Sequence, residues 1–268
     1  MSDQSACLQL KLYMHPMSFY SQQVLFALEE KKLSCENVVV DLLGLEQYEP
    51  WYMKINLMSE VPALQHGDTI ITDSPCIIDY LEKHFSGGDT PDLFPVEGSE
   101  AAALAKHFRE ELSAVPVERI TFGLFFNRHL GQNPRATESI MEDGKVMYLA
   151  RLPHMESFMK KHPELKEHCL NCSSKFANER RFPRHLENLE PLFDEIENQL
   201  ISHSEERATW WLCCEHVTPA DIILCILLER LTFVGLMERY WGSGKRPAIA
   251  AYRARSQTHP PFMAVPRN

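Results

Sequence analysis

No apolar run in this chain of 268 residues approaches the ~20 residues that a bilayer-spanning helix needs; the longest candidate is Ile222 to Leu228. The N-terminal Met1-Ser2-Asp3-Gln4 is polar and has no cationic flank, so no secretory or transit signal is expected. A basic excess is missing too. The formal net charge is −10, which argues against nucleic acid as the main partner, because binding phosphates requires a basic face. The 8 cysteines are scattered rather than framed, so no disulfide scaffold is expected and a reducing, cytosol-facing compartment is the default. There is no P-loop and no G-x-G-x-x-G. What remains is an ordinary globular composition, 44% hydrophobic and 24% charged, long enough for one large or two modest cores.

The first part of the chain reads β-α-β-α-β-β-α. Residues 8–15 alternate as a strand, and a Pro-Met-Ser turn leads to a helix on which Val24, Ala27 and Leu28 share a face. Ser18 stands at the N-cap position. Residues 36–40 read as a second strand, and 46–57 as a short helix or irregular turn interrupted by Pro50. Val61-Pro62-Ala63-Leu64 enters a third strand, His66-Gly67-Asp68 turns it, and Thr69 to Thr72 return. Asp73-Ser74-Pro75 then opens a helix carrying Ile77, Ile78, Leu81 and Phe85, with proline where a missing N–H costs nothing. Residues 1–86 are thus expected to form one domain, 87–98 a linker, and 99–268 an all-helical domain. Residues 99–128 read as one long helix with a bend near Pro116, 185–203 as another and 217–238 as a third.

Between these helices, at about 131–184, the periodicity dissolves among Pro134, Pro153, Pro163 and Pro183. An insert of that length is either functional or mobile. Residues 145–185 hold nine Lys/Arg against four Asp/Glu. Interspersed charge of this kind is ordinarily a solvated face, with a docking surface for an acidic partner or anionic lipid as the sharper reading. Cys169 and Cys172 form a C-x-x-C beside His168 and near His162. With no second pair, no metal site is expected from it. Cys213 and Cys214 read as core.

Three short stretches carry chemistry if the first domain is thioredoxin-like. Ser18 begins the first helix, where free N–H groups and the positive helix end favour an anion. A hydroxyl there can donate to a thiolate and lower its pKa. Val61-Pro62, if cis, exposes the Val61 backbone for strand-like pairing with a peptide ligand. Asp73-Ser74 caps the third helix, its N–H and hydroxyl suiting a carboxylate and its acid an α-amino group. Each feature alone is usually structural: a cap, a strand edge, a capping pair. Their order and spacing describe a site for a small peptide with an amine, a carboxylate and a thiol, which is the anatomy of glutathione. Ser18 is the expected thiolate stabiliser and Ser21 the runner-up. Tyr20 and the strand residue Tyr13 are alternatives.

The stretches SFYSQQVLFALEEKK, SEVPALQHGDTIITDSPCIIDYLEKHF and VTPADIILCILLERL resemble the glutathione S-transferase superfamily. Thr218-x-x-Asp221 in the last is similar to that superfamily's capping box, a folding element rather than a catalytic one. EPWYMKINLMSEVPAL, WLCCEHVTPADI and YWGSGKRPAIAAYRAR look most like the ganglioside-induced differentiation-associated protein 1 family. The resemblance implies glutathione as co-substrate, conjugated to a hydrophobic electrophile. It also implies the homodimer common in the superfamily, although the insert could block that interface. Members of the closer family are tail-anchored in the mitochondrial outer membrane and affect mitochondrial shape and redox balance. That implies the competing role of a non-catalytic adaptor or redox sensor in mitochondrial dynamics. This sequence finishes at Pro260, Pro261 and Pro266 without a hydrophobic tail. Either an anchor has been removed and the site of action is mitochondrial, or the chain is a cytoplasmic relative.

Overall fold

The computed structural model describes residues 9–163, 182–203 and 209–266. Strand β1 (Leu10–Met14) buries Leu10, Leu12 and Met14 on alternate positions, as a period of two requires. Helix α1 (Phe19–Glu30) crosses to β2 (Cys35–Val39), which lies parallel to β1 with Leu12 opposite Asn37. After a single 3-10 turn at Glu46–Tyr48, α2 (Pro50–Met53) leads towards β3 (Ala63–His66). β3 runs antiparallel to β1, and β4 (Thr69–Thr72) antiparallel to β3, for a sheet order β2-β1-β3-β4. Helix α3 (Ser74–His84) packs beside α1. This is the thioredoxin-like mixed sheet that the strand order foretold. Pro50 starts α2 rather than interrupting a helix, since a missing N–H is harmless in the first turn.

The rest of the described chain is helical: α4 (Glu100–Ser113), α5 (Val117–Phe126), α6 (Glu138–Lys161), α7 (Phe182–Glu187), α8 (Glu190–Ile201), α9 (Pro219–Phe233), α10 (Met237–Tyr240), α11 (Pro247–Ser256) and α12 (Pro260–Ala264). The three long helices expected at 99–128, 185–203 and 217–238 are each two. Pro116 takes the N-cap of α5, and its ring ends α4 instead of bending it. Pro191 lies in the first turn of α8 and separates it from α7. Gly235, at φ 85, closes α9 before α10.

The larger correction is at the insert. Glu138–Lys161 is one helix of 24 residues that contains Pro153. Pro153 is exposed, so the carbonyl it leaves unpaired one turn back can meet water. The Cys169-x-x-Cys172 motif and His168 lie outside the described residues.

The interior is continuous between the two halves. One apolar cluster runs from Leu10, Leu12 and Phe26 through Phe108 and the whole of α9 to Phe262. Helix α9 is buried on every face and packs on both α1 and α4. Its start is fixed by the expected capping box. Thr218 Oγ1 accepts from the Asp221 N–H while the Asp221 carboxylate accepts from the Thr218 N–H at 2.9 Å. The same carboxylate also takes the Leu212 N–H and the Tyr252 hydroxyl, both at 2.7 Å.

Candidate functional site

The turn between β1 and α1 is tied by several hydrogen bonds. The Ser18 N–H donates to the His15 carbonyl at 2.9 Å, and the Met17 N–H to His15 Nδ1 at 3.2 Å. Gln22 Nε2 donates to the Pro16 carbonyl at 2.8 Å, and Arg230 Nη2, from α9, to the Met17 carbonyl at 2.5 Å. Ser18 is the N-cap of α1, with φ −75 and ψ 122, and its Oγ accepts the Ser21 N–H at 3.2 Å. The cap uses the oxygen, and among the described residues nothing accepts the hydroxyl proton, which remains available to a ligand.

The second stretch enters β3. The Val61–Pro62 peptide bond is cis. The Glu60 carbonyl before it accepts from the Tyr52 hydroxyl and from Asn56 Nδ2, each at 2.7 Å, which fixes the turn from beneath. The third stretch opens α3. Asp73 sits at the N-cap with φ 73 and makes no side-chain hydrogen bond to the helix start, so the expected carboxylate cap is not made. Positive φ at a non-glycine residue stores strain of about 1–3 kcal/mol. The Ser74 hydroxyl donates to Gln23 Oε1 at 3.3 Å. Its N–H, in the first turn of α3, has no partner within the helix.

Ser18, Val61, Pro62, Asp73 and Ser74 line a single cleft of about 280 Å³, together with Tyr20. Ser21 does not line it: the residue is wholly buried and its Oγ accepts the His15 N–H at 3.3 Å. Tyr13 also lies outside the lining, its hydroxyl donating to Gln65 Oε1 at 3.0 Å.

The opposite wall is one that sequence reasoning missed in its α6 part. It comes from α6, which contributes Met147, Arg151, Met155 and Phe158, and from α5, which contributes Glu118. Arg151 Nη1 and Glu118 Oε1 pair at 2.5 Å, and the rings of Tyr48 and His154 stack at 4.8 Å between the two sides. The signal was present: positions 141, 144, 148, 151, 155 and 158 alternate steps of three and four, the spacing of one helix face. Glu60, Asp73 and Glu118 face the cleft with Arg151 as the cation among its described lining residues.

The thiols among the described residues do not suit nucleophilic chemistry. Burial pushes all five described cysteines upward, Cys35 to about 11 and Cys225 to about 12, with Cys76, Cys213 and Cys214 moved the same way. Among the described residues no group of three or more His, Cys, Asp or Glu could hold a metal. None of their helices is long and apolar enough to cross a membrane.

A family of domains described as "Glutathione S-transferase, N-terminal domain" matches residues 12–89. Human ganglioside-induced differentiation-associated protein 1-like 1 is 33% identical over 273 residues, covering 96% of this chain and 73% of that protein. Glutathione S-transferase TCHQD of Arabidopsis thaliana is 27% identical over 259 residues, covering 96% and 89%. The crystal structure of β-etherase LigF from Sphingobium sp. strain SYK-6 superposes with a TM-score of 0.73 at 22% identity, covering 96% of this chain and 98% of that one. Glutathione transferase URE2P8 from Phanerochaete chrysosporium, solved with oxidized glutathione, gives 0.60 at 20%, covering 97% and 94%. These two structures share the fold. With a thioredoxin-like sheet, a helical half and 33% identity to a human relative across 96% of its own residues, the chain belongs to the ganglioside-induced differentiation-associated protein 1 family of the glutathione S-transferase superfamily.

Proposed function

We propose that the chain binds glutathione in this cleft and joins it through its sulfur to a hydrophobic electrophile. The observation that carries the reading is the meeting of Ser18, Val61 and the start of α3 on one side of a cleft whose other side presents Met147, Met155 and Phe158 of α6. In this reading the glutathione cysteine pairs with the Val61 backbone, and its γ-glutamyl carboxylate takes the α3 N-terminus and the Ser74 N–H. Asp73 holds the ammonium. The Ser18 hydroxyl, with its proton uncommitted, donates to the sulfur and favours the thiolate over the thiol. The electrophile lies against Met147, Met155 and Phe158.

With an aryl chloride as electrophile, the C–S bond forms as the C–Cl bond breaks. Chloride leaves and the thiol proton passes to solvent. Loss of one donor aimed at a developing or resting anion costs on the order of a hundredfold in rate. Ser18→Ala should therefore lose about that much turnover while calorimetry still detects glutathione. Undiminished turnover in Ser18→Ala would remove the catalytic assignment.

One observation supports the adaptor reading instead. The cleft presents Glu60, Asp73 and Glu118, and its guanidinium, Arg151, is paired with Glu118. A net acidic lining repels a ligand that carries two carboxylates and one ammonium. If calorimetry shows no heat with glutathione, the protein is a transferase fold reused for contact with a partner, with a mitochondrial setting the proposal that follows from its relatives' family.

A further inference from the structure

Arg230 is a buried cation with almost nothing to hold it. It lies on α9, is 7% exposed, and has no carboxylate within ion-pairing distance among the described residues. Its single hydrogen bond is Nη2 to the Met17 carbonyl, and its Nε is buried without a partner. The neighbouring Glu229 gives no relief, because it is engaged by Arg135, Arg253 and Gln257. From α1 the titratable group facing it is Tyr20, and from its own helix Phe233 lies 6.0 Å from the guanidinium carbon. A lone buried guanidinium is expensive. Burial draws its pKa down to about 10, which still leaves it charged at neutral pH.

The position of that charge is what gives it a use. The peptide unit joining Met17 to Ser18 is held at both ends, its carbonyl by Arg230 and its N–H by the His15 carbonyl. Ser18 follows directly, at the positive end of α1. The other charged groups near Ser18 are Asp73 and Glu60 in the cleft, the Arg151–Glu118 pair across it, and neutral His15 in the turn. Glu60, Asp73 and Glu118 among them are acidic and oppose a thiolate, and a fixed buried cation behind the turn acts in the opposite sense.

We propose that Arg230 is a positioning residue for thiolate formation: it fixes the peptide unit that aims the Ser18 hydroxyl and supplies the uncompensated positive charge that favours a sulfur anion there. The inference rests on the glutathione reading. When the bound S–H bond breaks, the sulfur keeps the electron pair and the proton goes to solvent.

The test uses glutathione and its S-methyl derivative as probes on the full chain. Thiolate absorbance of bound glutathione is followed against pH, and the S-methyl affinity by calorimetry. Arg230→Gln keeps a donor for the Met17 carbonyl and loses the charge. It should raise the apparent pKa of the bound thiol by about one unit, a tenfold loss of thiolate at neutral pH, with S-methyl affinity within about threefold of the parent's. Arg230→Lys should return the thiol to the parent's value. If the glutamine variant does not fold, Arg230→Met, which leaves no orphaned donor, carries the same expectation. An unmoved thiol pKa overturns the inference and leaves glutathione binding standing. So does a loss of S-methyl affinity in step with the thiolate, which marks a purely structural role. A parent chain that binds neither probe overturns both readings.

Discussion

His15 sits under the cleft as a neutral base. Its Nδ1 accepts the Met17 N–H, which requires that nitrogen to be unprotonated. Burial holds its pKa below 6.5, with Asp41 pulling weakly the other way. The folded value is therefore the depressed one, and below pH 6.5 the unfolded chain binds more protons than the folded chain. The stability this residue contributes is complete above 6.5 and is lost as pH falls through the lowered folded value. Thermal midpoints should drop as pH falls below 6.5 in the parent, and less steeply in His15→Asn. A second residue carries a different trade. Asp73→Gly relieves a positive φ, so its thermal midpoint should hold or rise while calorimetric affinity for glutathione falls by about tenfold. A variant weakened in both would show that the strain is not held for the ligand. At this scale the cleft was half legible. Ser18 announces itself because caps act over three or four residues, and Asp73-Ser74 by its place at a helix start, although the Asp73 carboxylate makes no cap. Arg230 could not, since it meets Met17 from 213 positions away and nothing local marks it.

Among the elements, α9 and α6 show opposite kinds of legibility. The α9 start was readable because Thr218 and Asp221 satisfy each other within one turn. Asp221 also holds the Leu212 N–H and the Tyr252 hydroxyl, so the acid joins three segments. Asp221→Ala leaves four buried donors, the Thr218 N–H and hydroxyl, the Leu212 N–H and the Tyr252 hydroxyl, without that acceptor and should cost about 3–5 kcal/mol, read as a lowered denaturation midpoint with little change in transition slope. A cost under about 1 kcal/mol would mean that water replaces the carboxylate. Helix α6 was hidden by Pro153 and by its charges, although Met141, Tyr148 and Met155 recur every seven residues. Composition argued for a loop and periodicity for a helix. Burial of that stripe against α5, where Phe122 lies 5.1 Å from Tyr148, decided for the helix.

Across the whole molecule the two halves share an interior. Phe26 of α1 is 5.2 Å from Phe262 of α12, and Lys31 of α1 is fully buried against Glu82 at 2.6 Å and the Pro91 carbonyl at 2.9 Å. The segment expected to be a linker is thus anchored: the Leu93 N–H also donates to Glu82 at 3.1 Å. A shared core predicts one cooperative transition. Trp51 reports on the sheet half and Trp241 on the helical half, and their fluorescence midpoints in denaturant should coincide. Separate midpoints would show that the halves unfold independently. The fold class was legible because strand order and helical periodicity are local patterns summed along the chain. The shared interior was not, because it depends on which faces meet.

Helix α1 is made early in synthesis, yet its neighbours come late: Arg230 reaches the Met17 carbonyl, His259 meets Glu30 at 2.6 Å, and the Pro266 carbonyl takes Gln22 Nε2 at 3.0 Å. On the ribosome the part of this helix that meets the late helices stays uncovered until Arg230, His259 and Phe262 have emerged. Until then the nascent protein carries apolar surface of the kind that favours aggregation.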